Sequence, residues 1–161
     1  MKYNIELLKA DIKDELLKLE RIEEEYLKIK DKISLPPEEV TNYDRGAIGY
    51  LLHNFYNCCE NIFSSIARFF ENDLGQNTWH KNLLKRMKIE VSGFRPKVID
   101  EELYRLLDDF RGFRHKFRHS YSFDLDWEKE SLIARKFPQT VSLFKKQIAT
   151  FIQNLDQIED N

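Results

Sequence analysis

Apolar residues at Ile5, Leu8, Ile12, Leu16, Leu19, Ile22, Tyr26, Ile29 and Ile33 advance by three or four positions throughout. That spacing predicts one amphipathic helix over about residues 4–34, roughly 45 Å long at 1.5 Å per residue. The pattern is close to a heptad and admits a coiled coil, but it spans only about four heptads, and a long bundle helix accounts for it. Pro36 and Pro37 stop it.

A second helix is predicted from about Arg45 to Glu71, with Ile48, Leu51, Leu52, Phe55, Cys59, Ile62, Ile66, Phe69 and Phe70 at core spacing. His53, Asn57, Glu60 and Ser64 follow one another by four, three and four, so they form one polar stripe. The stripe is either a solvated face or the lining of a site or subunit contact, with Glu60 its only charge. Gly75, Gln76 and Asn77 mark a break, and Thr78 is a candidate N-cap for the short helix WHKNLLKRMKIE. SGFRPK is a loop because of Pro96. The fourth helix starts near Asp100 with Leu103, Leu106, Leu107, Phe110, Phe113 and Phe117. SYSFDLDWEKES is irregular or a short turn. A last helix over about Pro138 to Ile158 brings Val141, Phe144, Ile148, Phe151, Ile152 and Leu155 inward. The expected fold is all-α: one domain over residues 1–161, an antiparallel bundle of four long helices plus a short one.

A chain of 161 residues with 42% apolar and 34% charged residues buries roughly two thirds of its unfolded surface and can hold a fixed site. No run has the length of a membrane span, and the N-terminus is charged every few residues, so the expected location is cytoplasmic. Cys58 and Cys59 are adjacent on a helix, point about 100° apart, and read as reduced small hydrophobes. Net charge is −2, but its distribution is uneven. Residues 79–119 hold 11 Lys/Arg against 6 Asp/Glu, between acidic flanks. Such a segment attracts a polyanion locally while the protein stays acidic overall.

The basic segment culminates in RGFRHKFRHSYSFDLDW, residues 111–127. Leu103, Leu107, Phe110 and Phe117 share a stripe on which Arg114 also falls. A guanidinium on an apolar face is costly unless it is paired, snorkels or lines a cleft. Arg111, His115 and Arg118 follow at i, i+4 and i+7, as an exposed basic stripe does. His119 lies about 140° around the helix from Arg114, so the two do not converge within one continuous helix.

The stretch FRHKFRHSY at the end of an amphipathic helix resembles the HEPN ribonucleases, whose signature is R-x4-6-H with a polar residue just after the arginine. Arg114, His119 and Tyr121 match the narrower R-x4-H-x-Y form of the HepT-like toxins. HNFYNCCENIF, WHKNLLKRM and FRPKVIDEELYRLLDDFRGFRHKFRHSYSFDLDWEK are also similar to that family, and the likeness extends over nearly the whole chain. His115 stands where many relatives have Asn.

The resemblance implies a homodimeric endoribonuclease whose motifs meet at the subunit interface, the toxin of a pair in which a minimal nucleotidyltransferase (MNT) antitoxin attaches AMP to Tyr121. RNA, with tRNA or mRNA the expected target, carries its own 2′-hydroxyl nucleophile, so cleavage needs neither metal nor cofactor. His119 would be the general acid/base and Arg114 the phosphate and transition-state binder. His115 would orient phosphate or relay a second proton, and Glu60 would position Arg114 or His119. Arg111, Lys116, Arg118 and the Lys81 to Lys88 cluster would attract the RNA backbone, while Phe113 and Phe117 read as core. Two alternatives stay open. One is a non-catalytic helical module that binds RNA or nucleotide and docks to a nucleotidyltransferase; the other is a structural scaffold.

Overall fold

The computed structural model describes the backbone of residues 2–71 and 79–159, and the side chains of residues 4–71, 82–121 and 123–158. Six α-helices occur among the described residues: α1 (Lys2–Ile33), α2 (Asn42–Glu71), α3 (Trp79–Met87), α4 (Glu101–His119), α5 (Trp127–Arg135) and α6 (Phe137–Glu159), with a 3₁₀ turn at Ser122–Asp124. The expected break at Gly75 to Asn77 and the Thr78 cap lie outside the described residues.

Cross-helix pairs set the directions of the four long helices. The Cys58 thiol reaches the Glu15 carbonyl, Arg114 and Arg118 reach Asn57, the Asp100 amide meets Gln147, and Lys9 pairs with Asp156 while Lys145 pairs with Glu23. Direction follows where two contacts join a pair: Arg114 and Arg118 meet Glu60 and His53, Asp100 and Asp109 meet Gln147 and Lys136, and Lys9 and Glu23 meet Asp156 and Lys145, so α4 runs antiparallel to α2 and α6, and α6 to α1. At its centre Phe55 of α2 meets Phe110, Phe137 and Phe144 edge-on, with ring centroids 5.1, 5.2 and 6.2 Å away, an arrangement that suits the ring quadrupoles.

Two helix boundaries differ from expectation for capping reasons. α2 begins at Asn42, not near Arg45, because Thr41 Oγ1 accepts the Asp44 amide at 3.0 Å while the Asp44 carboxylate accepts the Thr41 amide, a reciprocal cap. The segment expected to be irregular contains α5, so there are two short helices among the described residues and not one. Asp126 caps α5 by accepting the amides of Glu128 and Lys129 at 3.0 and 3.3 Å. Trp127 is buried beneath it and donates its indole N–H to the Leu35 carbonyl at 2.8 Å. An Asp followed by acidic residues in the first turn is a start signal, outweighed in the sequence by a short and sparse apolar pattern. α4 starts where expected, with Asp100 accepting the Leu103 amide at 2.8 Å. α6 extends one residue beyond each expected end.

Cys58 and Cys59 are free and buried. Burial pushes the Cys58 thiol up to about 12 and the Cys59 thiol well above its ordinary range, so both are inert hydrophobes. No helix among the described residues is long and apolar enough to cross a membrane.

Candidate functional site

The polar stripe of α2 faces the C-terminal half of α4, not solvent. Arg114 places its guanidinium in a two-point ion pair with Glu60, Nη1 to Oε1 at 3.0 Å and Nη2 to Oε2 at 2.8 Å. Nη1 also donates to Asn57 Oδ1 at 3.0 Å, and the guanidinium carbon lies 4.5 Å from the Tyr56 ring centroid. Both charges are buried, with Arg114 4% and Glu60 8% exposed. The arginine that falls on the apolar face is therefore matched by a carboxylate, an amide and an aromatic ring, the set that makes a buried guanidinium tolerable. Burial, and then Glu60, push the neighbouring Tyr56 phenol far up, so it stays neutral.

One helical turn further on, the exposed Arg118 continues the same network. Its Nε donates to His53 Nε2 at 3.0 Å and its Nη2 to Asn57 Oδ1 at 3.3 Å. Asn57 thus accepts from both arginines with one oxygen, which turns its Nδ2 toward His53 Nδ1, 3.2 Å away. To accept from Arg118 Nε the ring must keep Nε2 free of hydrogen, which an imidazolium with a hydrogen on each nitrogen cannot do. Burial first, then the charge of Arg118 and, more weakly, of Arg114 hold His53 below its ordinary pKa, against a hydrogen bond with Asn54. Tyr50 stacks on the His53 ring at 5.7 Å, and Phe117 lies 5.8 Å from that ring and 6.4 Å from Tyr50, so the three rings form one cluster.

The remaining expected residues sit around this network. His115 and His119 are exposed, with ring centroids 4.7 Å apart. α4 runs unbroken through His119 and ends there, Ser120 being extended. Within one chain Arg114 and His119 therefore stay on different faces. Lys116 is exposed, and Arg111 is half-buried and paired with Asp108 at 2.7 Å. The exposed basic stripe expected for Arg111, His115 and Arg118 is not uniform: among the described residues only His115 lacks a carboxylate or α2 partner. Phe113 is buried, whereas Phe117 is half-buried under His53. Tyr121 is 71% exposed and stacks on Phe123 at 5.3 Å with the rings almost parallel.

The basic cluster of α3 is not brought to this place. Arg86 pairs with Glu71, and Lys88 pairs with Glu101 at the other end of α4 and covers Tyr104; the side chain of Lys81 lies outside the described residues. The spacing of His53 and Asn57 within the polar stripe admitted a site lining, but that they engage Arg118 was not legible from it. No group of three His, Cys, Asp or Glu side chains among the described residues is arranged to hold a metal ion.

Going around α4 at about 100° per residue, Arg114, Arg118, His115 and His119 form one sequence of helix neighbours. It leads from a buried guanidinium through an exposed, fixed one to two exposed imidazoles. Such a surface sets anion-binding groups beside two imidazoles, the side chains most often used as general acids and bases.

A family model described as HepT-like protein matches residues 47–155, from early α2 almost to the end of α6. No curated protein and no solved structure matches the chain.

Proposed function

The chain belongs to the HepT-like protein family of HEPN-type proteins, and from that premise we propose that it is a metal-independent RNA endonuclease, the toxin of a HEPN/MNT pair acting as a homodimer. The observation that carries the proposal is the pair of exposed imidazoles, His115 and His119, 4.7 Å apart at the end of α4 and beside a fixed cationic surface.

The chemistry is transesterification. The RNA 2′-oxygen attacks the adjacent phosphorus, its proton passing to a neutral imidazole, and the bond from phosphorus to the 5′-oxygen breaks as that oxygen takes a proton from an acid. The products are a 2′,3′-cyclic phosphate and a 5′-hydroxyl. His119 is the general acid/base and His115, or His119 of a second copy, is its counterpart. A dimer assembled on this surface brings together two motifs that a single straight helix keeps apart. Arg118, Lys116 and Arg111 draw in the RNA backbone, and Glu60 fixes Arg114. The exposed phenol of Tyr121, two residues from His119, is accessible to a nucleotidyltransferase; AMP there adds charge and bulk that oppose an incoming phosphate.

A second reading, a non-catalytic RNA- or nucleotide-binding module that docks to a nucleotidyltransferase, is favoured by the near-complete burial of Arg114. The two separate in one assay. The nuclease cleaves RNA in EDTA, leaving cyclic phosphate ends, and His119→Ala abolishes this with the helical content intact. Cleavage retained in His119→Ala, or cleavage strictly dependent on added metal, refutes the nuclease. Incubation with a partner nucleotidyltransferase and ATP, followed by mass spectrometry of wild type and Tyr121→Phe, tests the modification.

A further inference from the structure

Tyr121 and Phe123 are 71% and 65% exposed, and their rings stack with centroids 5.3 Å apart and planes 3° from parallel. Tyr50 and Phe94, also exposed, lean on the half-buried rings of His53 and Phe70. Among the described residues, Tyr121 and Phe123 form the one Phe or Tyr contact in which both rings are exposed. They flank the 3₁₀ turn that follows α4, closed by the Asp124 amide donating to the Tyr121 carbonyl at 2.9 Å. Leu125 and Trp127, buried just after it, tie the turn to the core. Tyr121 comes two residues after His119, which keeps their Cα atoms within about 7 Å. Lys116 and Arg118 are exposed in the last turn of α4. Asp124, the first carboxylate after that helix, follows Phe123, so along the chain the two rings lie between cations and an anion.

We infer that the Tyr121–Phe123 pair is a stacking platform for an RNA base beside the bond that is cut, an inference that rests on the ribonuclease reading above. Three features select this occupant. The pair presents flat aromatic faces to solvent, and every base has a π-face to lay on them. Rings already held against each other lose little freedom when a base arrives. Positive charge at the end of α4 draws in the phosphate that links the stacked nucleotide to the reacting one. A second copy of the chain fits less well. A specific interface buries about 800 Å² on each partner, whereas one such ring contributes about 150–250 Å², so the two alone reach roughly half of what is needed. Stacking is sequence-tolerant, so the platform grips and positions the strand and leaves its sequence unread. Tyr121 then has two functions on one side chain. Its ring holds substrate and its oxygen is the proposed AMP acceptor, so a nucleotide attached there crowds the place that the base needs.

The test is steady-state cleavage in EDTA, by the full chain, of an RNA oligonucleotide that the wild type cuts at one bond. The same RNA is then given a single abasic nucleotide, in turn at each of the two positions on either side of that bond. At one of these positions the abasic nucleotide should lower the wild-type kcat/KM about 10-fold, chiefly through KM, as loss of one base stack does. Phe123→Ala should lower it about 10-fold on the intact RNA and less than about 2-fold further on the abasic one, because base and ring are two halves of one contact. Phe123→Leu keeps apolar bulk without a flat face and should resemble Phe123→Ala, while Phe123→Tyr restores the face and should recover most of the rate. Tyr43→Ala removes a ring that is 90% exposed at the start of α2; it is the control and should match wild type. Circular dichroism verifies the folding of each variant and size-exclusion chromatography its oligomeric state. Phe123→Ala cleavage within about 2-fold of wild type, a loss that is the same with and without the base, or a changed oligomeric state overturns the inference alone. A wild-type protein that cleaves no RNA overturns the ribonuclease reading and the inference with it.

Discussion

Glu60 and Arg114 face each other across the α2–α4 contact with carboxylate and guanidinium 2.8 Å apart, their side chains 10% and 5% exposed. Removing one partner leaves the other charge buried and unmatched, whereas removing both leaves only a volume to refill. Glu60→Ala and Arg114→Ala should each destabilise the fold by about 3–5 kcal/mol. The double change Glu60→Leu with Arg114→Met should recover most of that loss. Urea unfolding of the four proteins measures this, and single variants within about 1 kcal/mol of wild type would show that the pair contributes little.

The face bearing this pair was legible from spacing; its partners were not. Hydrophobic periodicity places α1, α2, α4 and α6 to within a few residues, since each buries a stripe that repeats over five or more turns. It also shows Arg114 on an apolar stripe and His53, Asn57, Glu60 and Ser64 on a polar one. That the two stripes meet is a tertiary fact, fixed by which helices become neighbours and at what register. For the same reason Arg118 looked like an ordinary exposed residue: its contact with His53 joins positions 65 apart in the chain. α5 escaped because nine residues give a weak period and its decisive burial, Trp127 under the Leu35 carbonyl, is again long-range.

Gly49 lies at a close approach of α2 to Phe117. A Cβ there would stand 2.6 Å from Phe117 Cε2 and 2.9 Å from Glu130 Oε1. Phe117 cannot easily yield, since Phe113 stacks on it at 5.8 Å and His53 lies at the same distance. Gly49→Ala should therefore destabilise by about 1–3 kcal/mol through overpacking, despite alanine's advantage of about 1 kcal/mol within a helix. Gly46 and Gly112, also helical, have nothing within 4 Å of such a Cβ, and the same substitution at either should stabilise by about 0.5–1 kcal/mol. Thermal unfolding of the three variants checks the opposite signs.

Glu130 is 1% exposed, and neither of its carboxyl oxygens has a hydrogen-bond partner among the described residues. Burial pushes it up to about 8, opposed by the charge of Arg45. The folded protein therefore retains a proton between pH 4.5 and 8 that the unfolded chain has released, and stability must fall as pH rises through that window. Glu130→Gln removes the dependence. It should match wild type near pH 4 and exceed it progressively above pH 5, by at most about 3 kcal/mol at pH 7. Urea midpoints at pH 4.5, 6, 7 and 8.5 measure the divergence; parallel curves would place the carboxyl in contact with solvent.

His53 gives the corresponding signal at the site. Its lowered pKa has burial as the leading cause, with Arg118 and then Arg114 adding to it and a hydrogen bond with Asn54 opposing. The groups facing the ring are these two arginines, Asn54, Asn57, Tyr50 and Phe117, and none is acidic. The unfolded chain takes up a proton near pH 6.5 that the folded ring refuses, so this group makes the protein less stable as pH falls below that value. By NMR the His53 resonances should titrate below 6.5, and Arg118→Ala should move their midpoint upward, because the Nε donor and the nearer positive charge leave together. A His53 midpoint unchanged by Arg118→Ala would mean that the 3.0 Å contact between them does not persist in solution.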